Sequence, residues 1–278
     1  MSILRFPKVS DEHFLEATSK SLPMLISKEF TSWPAMEKWS LGFFQQVYGQ
    51  TTIRSTTEKS EIYNPKTIGQ FIDRIRDNEA VYLKNIRITE VLKPLLDDLL
   101  PLPSYLKKCR SRNLFMPRKM YHPHGIWELF IGGPGSGFPL LHYDIYNLHV
   151  LIVQIKGRKE IRLFSPGDSD RMYPKTNIPS HSIIEDAFNP DFNKYPLLRD
   201  AIPIDITLNP GEGIFLPAGW WHTTKFNEAT ISVALNLVNK ENWPNFFKDF
   251  IKVEKRVGMI NGFKQRLRLS LVGLLERY

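Results

Sequence analysis

Gly157-Arg-Lys-Glu-Ile-Arg-Leu163 alternates residue by residue, with Lys159, Ile161 and Leu163 on one side and Arg158, Glu160 and Arg162 on the other. Side chains two apart share a face of a β-strand, so the stretch predicts a strand with one apolar face on which Lys159 is the lone charge. Thr230 to Val238 repeats the pattern: Ile231, Val233, Leu235 and Leu237 make an apolar face, leaving Ser232, Ala234 and Asn236 on the other. Short strands and turns run from Ile126 to Val238, where helical periodicity is nearly absent apart from a turn near Asp186 to Tyr195. Glycines mark the corners at Gly132 to Gly137, Gly157, Gly167, Gly211 and Gly213. The fold class is mainly β with flanking helices.

Three segments follow from this texture. Residues 1–110 read as α/β elements packing on the core, residues 111–240 as the β core, and residues 241–278 as a C-terminal helical segment. In the first, Trp33-Pro34 breaks the chain before a helical stretch from Ala35 to about Tyr48. Ile68, Phe71, Ile72 and Ile75 give Thr67 to Asn78 the spacing of an amphipathic helix, and Ala80 to Leu83 reads as a short strand. In the last, Phe246, Phe247, Phe250, Ile251, Val257 and Ile260, then Leu267, Leu271, Leu274 and Leu275, form apolar stripes opposite basic residues. Such a helix pair packs on its own domain or on a second copy in a homodimer.

The chain has 278 residues, 42% apolar and 12% aromatic, enough for a real core and too apolar for disorder. Its single cysteine, Cys109, cannot form an internal disulfide, and the opening MSILRFPKVSDEHFLEA has acids where a secretory leader needs an apolar run. The longest apolar run, Leu148 to Ile155, is strand length, against the ~20 residues of a membrane span. The expectation is a soluble, cytoplasmic protein with no membrane partner. Net charge is +8, with eight basic residues against three acids from Lys248 onward and no acid between Ser104 and Trp127. Such clusters steer a polyanion such as RNA to the surface, and a solvated face explains them equally well.

Residues 140–144 read Leu-Leu-His-Tyr-Asp. In a strand, His142 and Asp144 point one way and Tyr143 the other. Far downstream, Gly211-Glu-Gly-Ile-Phe-Leu-Pro-Ala-Gly-Trp-Trp-His222 sets another histidine just after a Pro-Gly corner. An early and a late strand of an antiparallel barrel can meet inside, and two imidazoles with one carboxylate are the facial triad of non-haem Fe(II) oxygenases. Any His-x-Asp is also a common turn or core pair. Context favours the triad: a buried Lys159 is costly without an anion. No nearby acid has the right parity, and an external dicarboxylate such as 2-oxoglutarate meets the need. A rim position, with the ammonium reaching water, is the alternative for Lys159, and a solvent-facing strand end the alternative for Asn236.

His142-Tyr-Asp144, Gln154-Ile-Lys-Gly-Arg-Lys-Glu-Ile-Arg-Leu-Phe-Ser-Pro166, Asn189-Pro-Asp-Phe-Asn-Lys-Tyr-Pro196 and the Gly211 to His222 run together resemble the JmjC-type, cupin-like Fe(II)/2-oxoglutarate hydroxylases. Within them the resemblance is to the tRNA wybutosine hydroxylases and the hypoxia-inducible-factor asparaginyl hydroxylases. It extends from about Phe14, through Ser32-Trp-Pro-Ala35, to about Val238. It implies a double-stranded β-helix of the jelly-roll (cupin) type, with His142, Asp144 and His222 as metal and catalytic residues and Lys159 gripping the distal carboxylate of the cosubstrate. Asn236 matches the family's asparagine in the last core strand. The implied reaction couples O2, Fe(II) and 2-oxoglutarate to hydroxylation of a C–H bond in a peptide, a protein side chain or a tRNA base, with demethylation as a variant of the same chemistry.

The chain departs from the family in two places. Pro139 stands where many members carry Thr or Ser, with Ser136 the nearest hydroxyl, and a loop about two residues longer leaves the family's asparagine there at Asn147 or absent. A competing motif lies upstream: His122-Pro-His124-Gly-Ile-Trp-Glu128 has the His-x-His-x3-Glu form of small-molecule cupins. Pro123 disfavours a central ladder strand there, and this set leaves Lys159 and Asp144 unexplained. A non-catalytic cupin, serving as a scaffold or RNA-binding surface, is the third reading.

Overall fold

A computed structural model describes residues 3–57, 60–108, 126–138 and 140–256. In chain order the elements are β1 (Leu4–Phe6), α1 (Asp11–Ser19), β2 (Met24–Ile26), α2 (Ala35–Lys38), α3 (Leu41–Tyr48), β3 (Thr52–Thr57), β4 (Ser60–Thr67), α4 (Ile68–Arg76), β5 (Tyr82–Arg87), α5 (Ile88–Val91) and α6 (Ser104–Lys108). Then come β6 (Ile126–Gly132), β7 (His149–Lys156), β8 (Lys159–Phe164), β9 (Ile204–Leu208), β10 (Gly213–Leu216), β11 (Trp221–Lys225), β12 (Thr230–Leu237) and α7 (Trp243–Arg256).

Seven strands form one sheet in the order β1-β2-β10-β7-β12-β6-β5, and three form a second, β11-β8-β9. β1 and β2 run parallel; the other pairs are antiparallel. One face of the large sheet meets the small sheet: Phe130, Val150, Ile152 and Ala234 pack with Ile161, Leu163, Ile206 and Leu208. Its other face, through Leu129, Leu151, Val153, Val233 and Leu235, packs on Phe14, Trp33, Trp39, Phe44 and Phe71 from the first hundred residues. That double burial explains β7, whose run from His149 to Ile155 is buried at every position: a strand covered on both faces has no need of polar alternation. β8, covered on one face, alternates as its sequence predicts.

The N-terminal segment does more than pack on the core. It supplies β1, β2 and β5 to the large sheet, pairings that leave no trace in local periodicity. The helical stretch from Ala35 splits in two because Trp39 is extended and fully buried, its indole donating to Asp98 at 2.8 Å, while Ser40 caps α3 by accepting from Phe43 N–H. α4 starts after Thr67, which forms a capping box with Gln70, and buries Ile68, Phe71, Ile72 and Ile75. The strand expected at Ala80 to Leu83 forms later, as β5. The turn expected near Asp186 to Tyr195 is followed by a 3-10 turn at Pro196–Asp200. Among the described residues no helix is long and apolar enough to cross a membrane. The end of the first apolar stripe, Val257 and Ile260, and all of the second, from Leu267, lie outside the described residues.

Candidate metal centre and its cavity

His142 is not in a regular strand. It makes isolated bridges to His181 and to His222 of β11; toward β11 its N–H donates to His222 O at 3.0 Å and its carbonyl accepts from His222 N–H at 2.6 Å. Backbone pairing therefore sets the two histidines side by side, with ring centroids 4.3 Å apart. His222 is carried to that place by the corner at Pro217 to Gly219, where Gly219 takes φ +83° and the Ala218 N–H is held by buried His149 Nδ1 at 2.9 Å. Asp144 follows two residues after His142 at the entrance to a tight turn, Ile145–Asn147. Its Oδ2 lies 4.0 Å from His222 Nε2. One ligand atom from each of His142, Asp144 and His222 lies within 4.8 Å of the others.

The two rings are braced in the same way. Nδ1 of His142 lies 3.0 Å from Leu140 O, and Nδ1 of His222 lies 3.1 Å from Trp220 O. A carbonyl on Nδ1 fixes the proton there and leaves Nε2 with its lone pair free, the state a metal requires. Burial, reinforced by His222, holds the His142 imidazole well below its ordinary value and so keeps it neutral. Burial raises the Asp144 carboxyl, and His222 partly offsets this. Two imidazoles braced at Nδ1 and a carboxylate that burial penalises as a bare anion suit a divalent cation, which compensates the buried negative charge.

A cavity opens from these three residues between the two sheets, lined also by Tyr82, Glu128, Phe130, Lys159, Thr224 and Asn236. Lys159 is 2% exposed. Its Nζ donates to Ser232 Oγ and sits 5.6 Å from the ring centroids of both Phe130 and Phe226. Among the described residues no carboxylate pairs with it, and burial lowers its ammonium to about 7. This excludes the rim position. Tyr82, from β5, and Thr224, from β11, hydrogen-bond through their side chains, and burial raises the Tyr82 hydroxyl. They set hydroxyls on the cavity wall where Pro139 supplies none; Pro139 itself is outside the described residues, and Ser136 is buried away against Val81 O and Gly133 O. Sequence reasoning missed Tyr82 and Thr224.

Asn236 faces the cavity, and its amide lies 3.4 Å from Glu128 Oε2, which also accepts from Asn85 at 3.3 Å. Glu128 is outside the three-residue cluster, and burial, then Asp144, raises its carboxyl. His122 and His124, its partners in the competing motif, lie outside the described residues. Asn147 does not line the cavity: its amide donates to Asp249 of α7 at 2.5 Å. Trp220 and Trp221 are buried packing residues, and Tyr143 stands edge-on to Trp221.

A family model described as a cupin-like domain matches residues 10–241. Similar proteins include JmjC domain-containing protein D of Dictyostelium discoideum, 27% identical over 82% of this chain and 54% of that protein. Lysine-specific demethylase 8 of Xenopus tropicalis is 26% identical over 76% of this chain and 47% of its own length. tRNA wybutosine-synthesizing protein 5 of Homo sapiens is 23% identical over 84% of this chain and 76% of its own length. The chain spans about half the length of the first two. With two facing sheets of the jelly-roll kind, a His-Asp-His cluster on the cavity between them and a match over most of its length, this chain belongs to the JmjC-type cupin-like domain family.

Proposed function

We propose that this chain is an Fe(II)- and 2-oxoglutarate-dependent oxygenase that hydroxylates a C–H bond of a protein side chain. The observation that carries the reading is one cavity holding both a His142, Asp144, His222 cluster and a fully buried ammonium with no anionic partner among the described residues. His142, Asp144 and His222 would hold the metal. Lys159 would hold the distal carboxylate of the cosubstrate, with Tyr82 and Thr224 as further hydroxyl partners. Bound there, iron and 2-oxoglutarate supply an oxidant made from O2, with succinate and CO2 as by-products. The protein's own work is to brace the imidazoles through Leu140 O and Trp220 O, hold Asp144 beside His222, and line the cavity with Phe130, Val150 and Ile152 against water.

Glu128 favours a cationic side chain as the group presented to this site. Both of its hydrogen bonds go to Oε2, and burial leaves its charge under-compensated, so an ammonium or guanidinium is the natural complement. A tRNA base is the second reading, favoured by the +8 net charge and by the wybutosine-synthesizing relative. The test incubates purified protein, Fe(II) and 2-oxoglutarate with basic-residue peptides or with bulk tRNA, following succinate and a 16-dalton mass gain. Peptide-dependent turnover that is lost in Asp144→Ala and has a raised KM in Glu128→Gln is expected. Turnover with tRNA alone would move the substrate to nucleic acid, and no succinate under any condition would end the oxygenase reading.

A further inference from the structure

Two residues after Asp144 the backbone turns left-handed. Tyr146 and Asn147 take φ +60° and +50° in succession, the left-handed region that non-glycine residues avoid, and that costs a tyrosine more than an asparagine. Such a pair persists only when its surroundings over-determine it. Here the surroundings are α7 and the turn that leads into it. The Tyr146 ring packs against Phe246 and Phe250, with centroids 6.4 and 5.9 Å away. Asn147 donates to Asp249 at 2.5 Å, and its own carbonyl accepts from Asn242 at 2.8 Å. Leu148, Phe247 and Val238 complete the same small cluster.

We propose that α7 is a positioning clamp for the metal centre: Asp249 and Asn242 hold the left-handed turn 145–147, and the turn fixes where the Asp144 carboxylate points. The inference rests on the metal-binding reading above. Two ligands are placed without α7, because His142 and His222 fix each other through paired backbone hydrogen bonds. Among the described residues Asp144 makes no such reciprocal backbone pair. The backbone before it is anchored by Tyr143 N–H donating to Ser180 O at 3.0 Å, and the backbone after it is held in place by a helix about a hundred residues away. Asn147 is then a positioning residue rather than a cosubstrate ligand.

Mn(II) titration of the full chain, read by electron paramagnetic resonance, tests this. Asp249→Ala is expected to weaken Mn(II) binding about tenfold, the size found when an outer-shell partner of a metal ligand is removed. Asn147→Ala, which loses the bond and strains the left-handed φ, should weaken it more than Asn147→Gly, which loses only the bond. In the Asn147→Gly background Asp249→Ala should add nothing. Circular dichroism confirms that each variant is folded, and a variant that unfolds is replaced by Asp249→Asn, which keeps an acceptor and should retain near-native affinity. Unchanged Mn(II) affinity in folded Asp249→Ala overturns the clamp. So does an Asn147 series that moves 2-oxoglutarate affinity at saturating Mn(II) and leaves the metal alone. A wild-type chain that binds no Mn(II) overturns the metal-centre reading itself, and the two failures are distinct.

Discussion

Lys159→Met should make the ligand-free protein more stable while removing its response to 2-oxoglutarate. The Lys159 ammonium falls from its ordinary 10.5 to about 7 because it is buried. At about 1.4 kcal/mol per pH unit this corresponds to about 5 kcal/mol against the charged form inside the fold. An unfolded lysine keeps the ordinary value, so between about pH 7 and 10.5 the unfolded state binds more protons and stability rises with pH. Below pH 7 the penalty is complete and constant. Methionine has nearly the same length and suits the Phe130 and Phe226 rings, and it removes that penalty at the loss of about 1–3 kcal/mol for the stranded Ser232 hydroxyl. The net gain near pH 7 is about 3 kcal/mol, or a melting temperature about 6–10 °C higher for a chain of this size. The charge-assisted contact to a distal carboxylate is lost as well, at about 2–5 kcal/mol of affinity. Saturating 2-oxoglutarate with Mn(II) should therefore raise the wild-type melting temperature and leave the variant's nearly unmoved. Scanning calorimetry at pH 7 and 9, with and without cosubstrate, reads all of this. A variant that melts below wild type without ligand, or keeps the full 2-oxoglutarate shift, would refute the assignment of Lys159 as an anion-seeking group.

Burial lowers the His149 imidazole to about 4, between Asn239 Oδ1 and the Ala218 amide. It must stay neutral to fold, so about 3 kcal/mol of stability, complete above pH 6.5, is lost as pH falls toward 4, and His149→Gln should flatten that part of the urea-denaturation profile. Gly157 has φ +65° and lies where an added Cβ would sit 2.3 Å from Ala229 O. Gly157→Ala is expected to cost about 3 kcal/mol through strain at the turn between β7 and β8, and a variant as stable as wild type by thermal melting would contradict that turn geometry. Removing metal with a chelator should lower the wild-type melting temperature by the linkage free energy, about 2.7 kcal/mol at a hundredfold excess of metal over Kd. Asp144→Ala should melt identically with Mn(II) or chelator, and a retained metal shift would place the ion elsewhere.

The chemistry-bearing residues were legible wherever one strand's parity decided the matter. Lys159 faces the cavity because it sits on a strand whose same-face positions are otherwise apolar, and period 2 allows one outcome once the core face is known; parity left Asn236 open between the cavity and solvent, and the burial of β12 on both faces places it. His142 and Asp144 converge as the His-x-Asp spacing suggests, though not in a regular strand: isolated bridges from His142 to His222 on one side and to His181 on the other hold the segment. Tyr82 could not be found in this way. It reaches the cavity through the pairing of β5 with β6, strands more than forty residues apart that no local pattern joins. The split at Trp39 was hidden for a related reason, since the partner that holds the indole, Asp98, is 59 residues away.

Asn147 shows where parity reasoning stops. The family resemblance implies an asparagine near the cosubstrate, at Asn147 or absent, whereas a left-handed turn puts the Asn147 side chain on α7, and left-handed conformations at Tyr and Asn carry no sequence signal as strong as glycine's. The same turn explains why one segment can serve two neighbours. Before it, Asp144 belongs to the cavity between the sheets. After it, residues 145–147 belong to the aromatic cluster of α7, and His149 opens the strand buried on both faces. A rigid strand through Asp144 would have carried its successors along one face and left the carboxylate's direction to strand twist alone. Breaking the strand at the ligand lets the distant helix set that direction, which is why loss of a surface-side bond at Asp249 should be read at the metal.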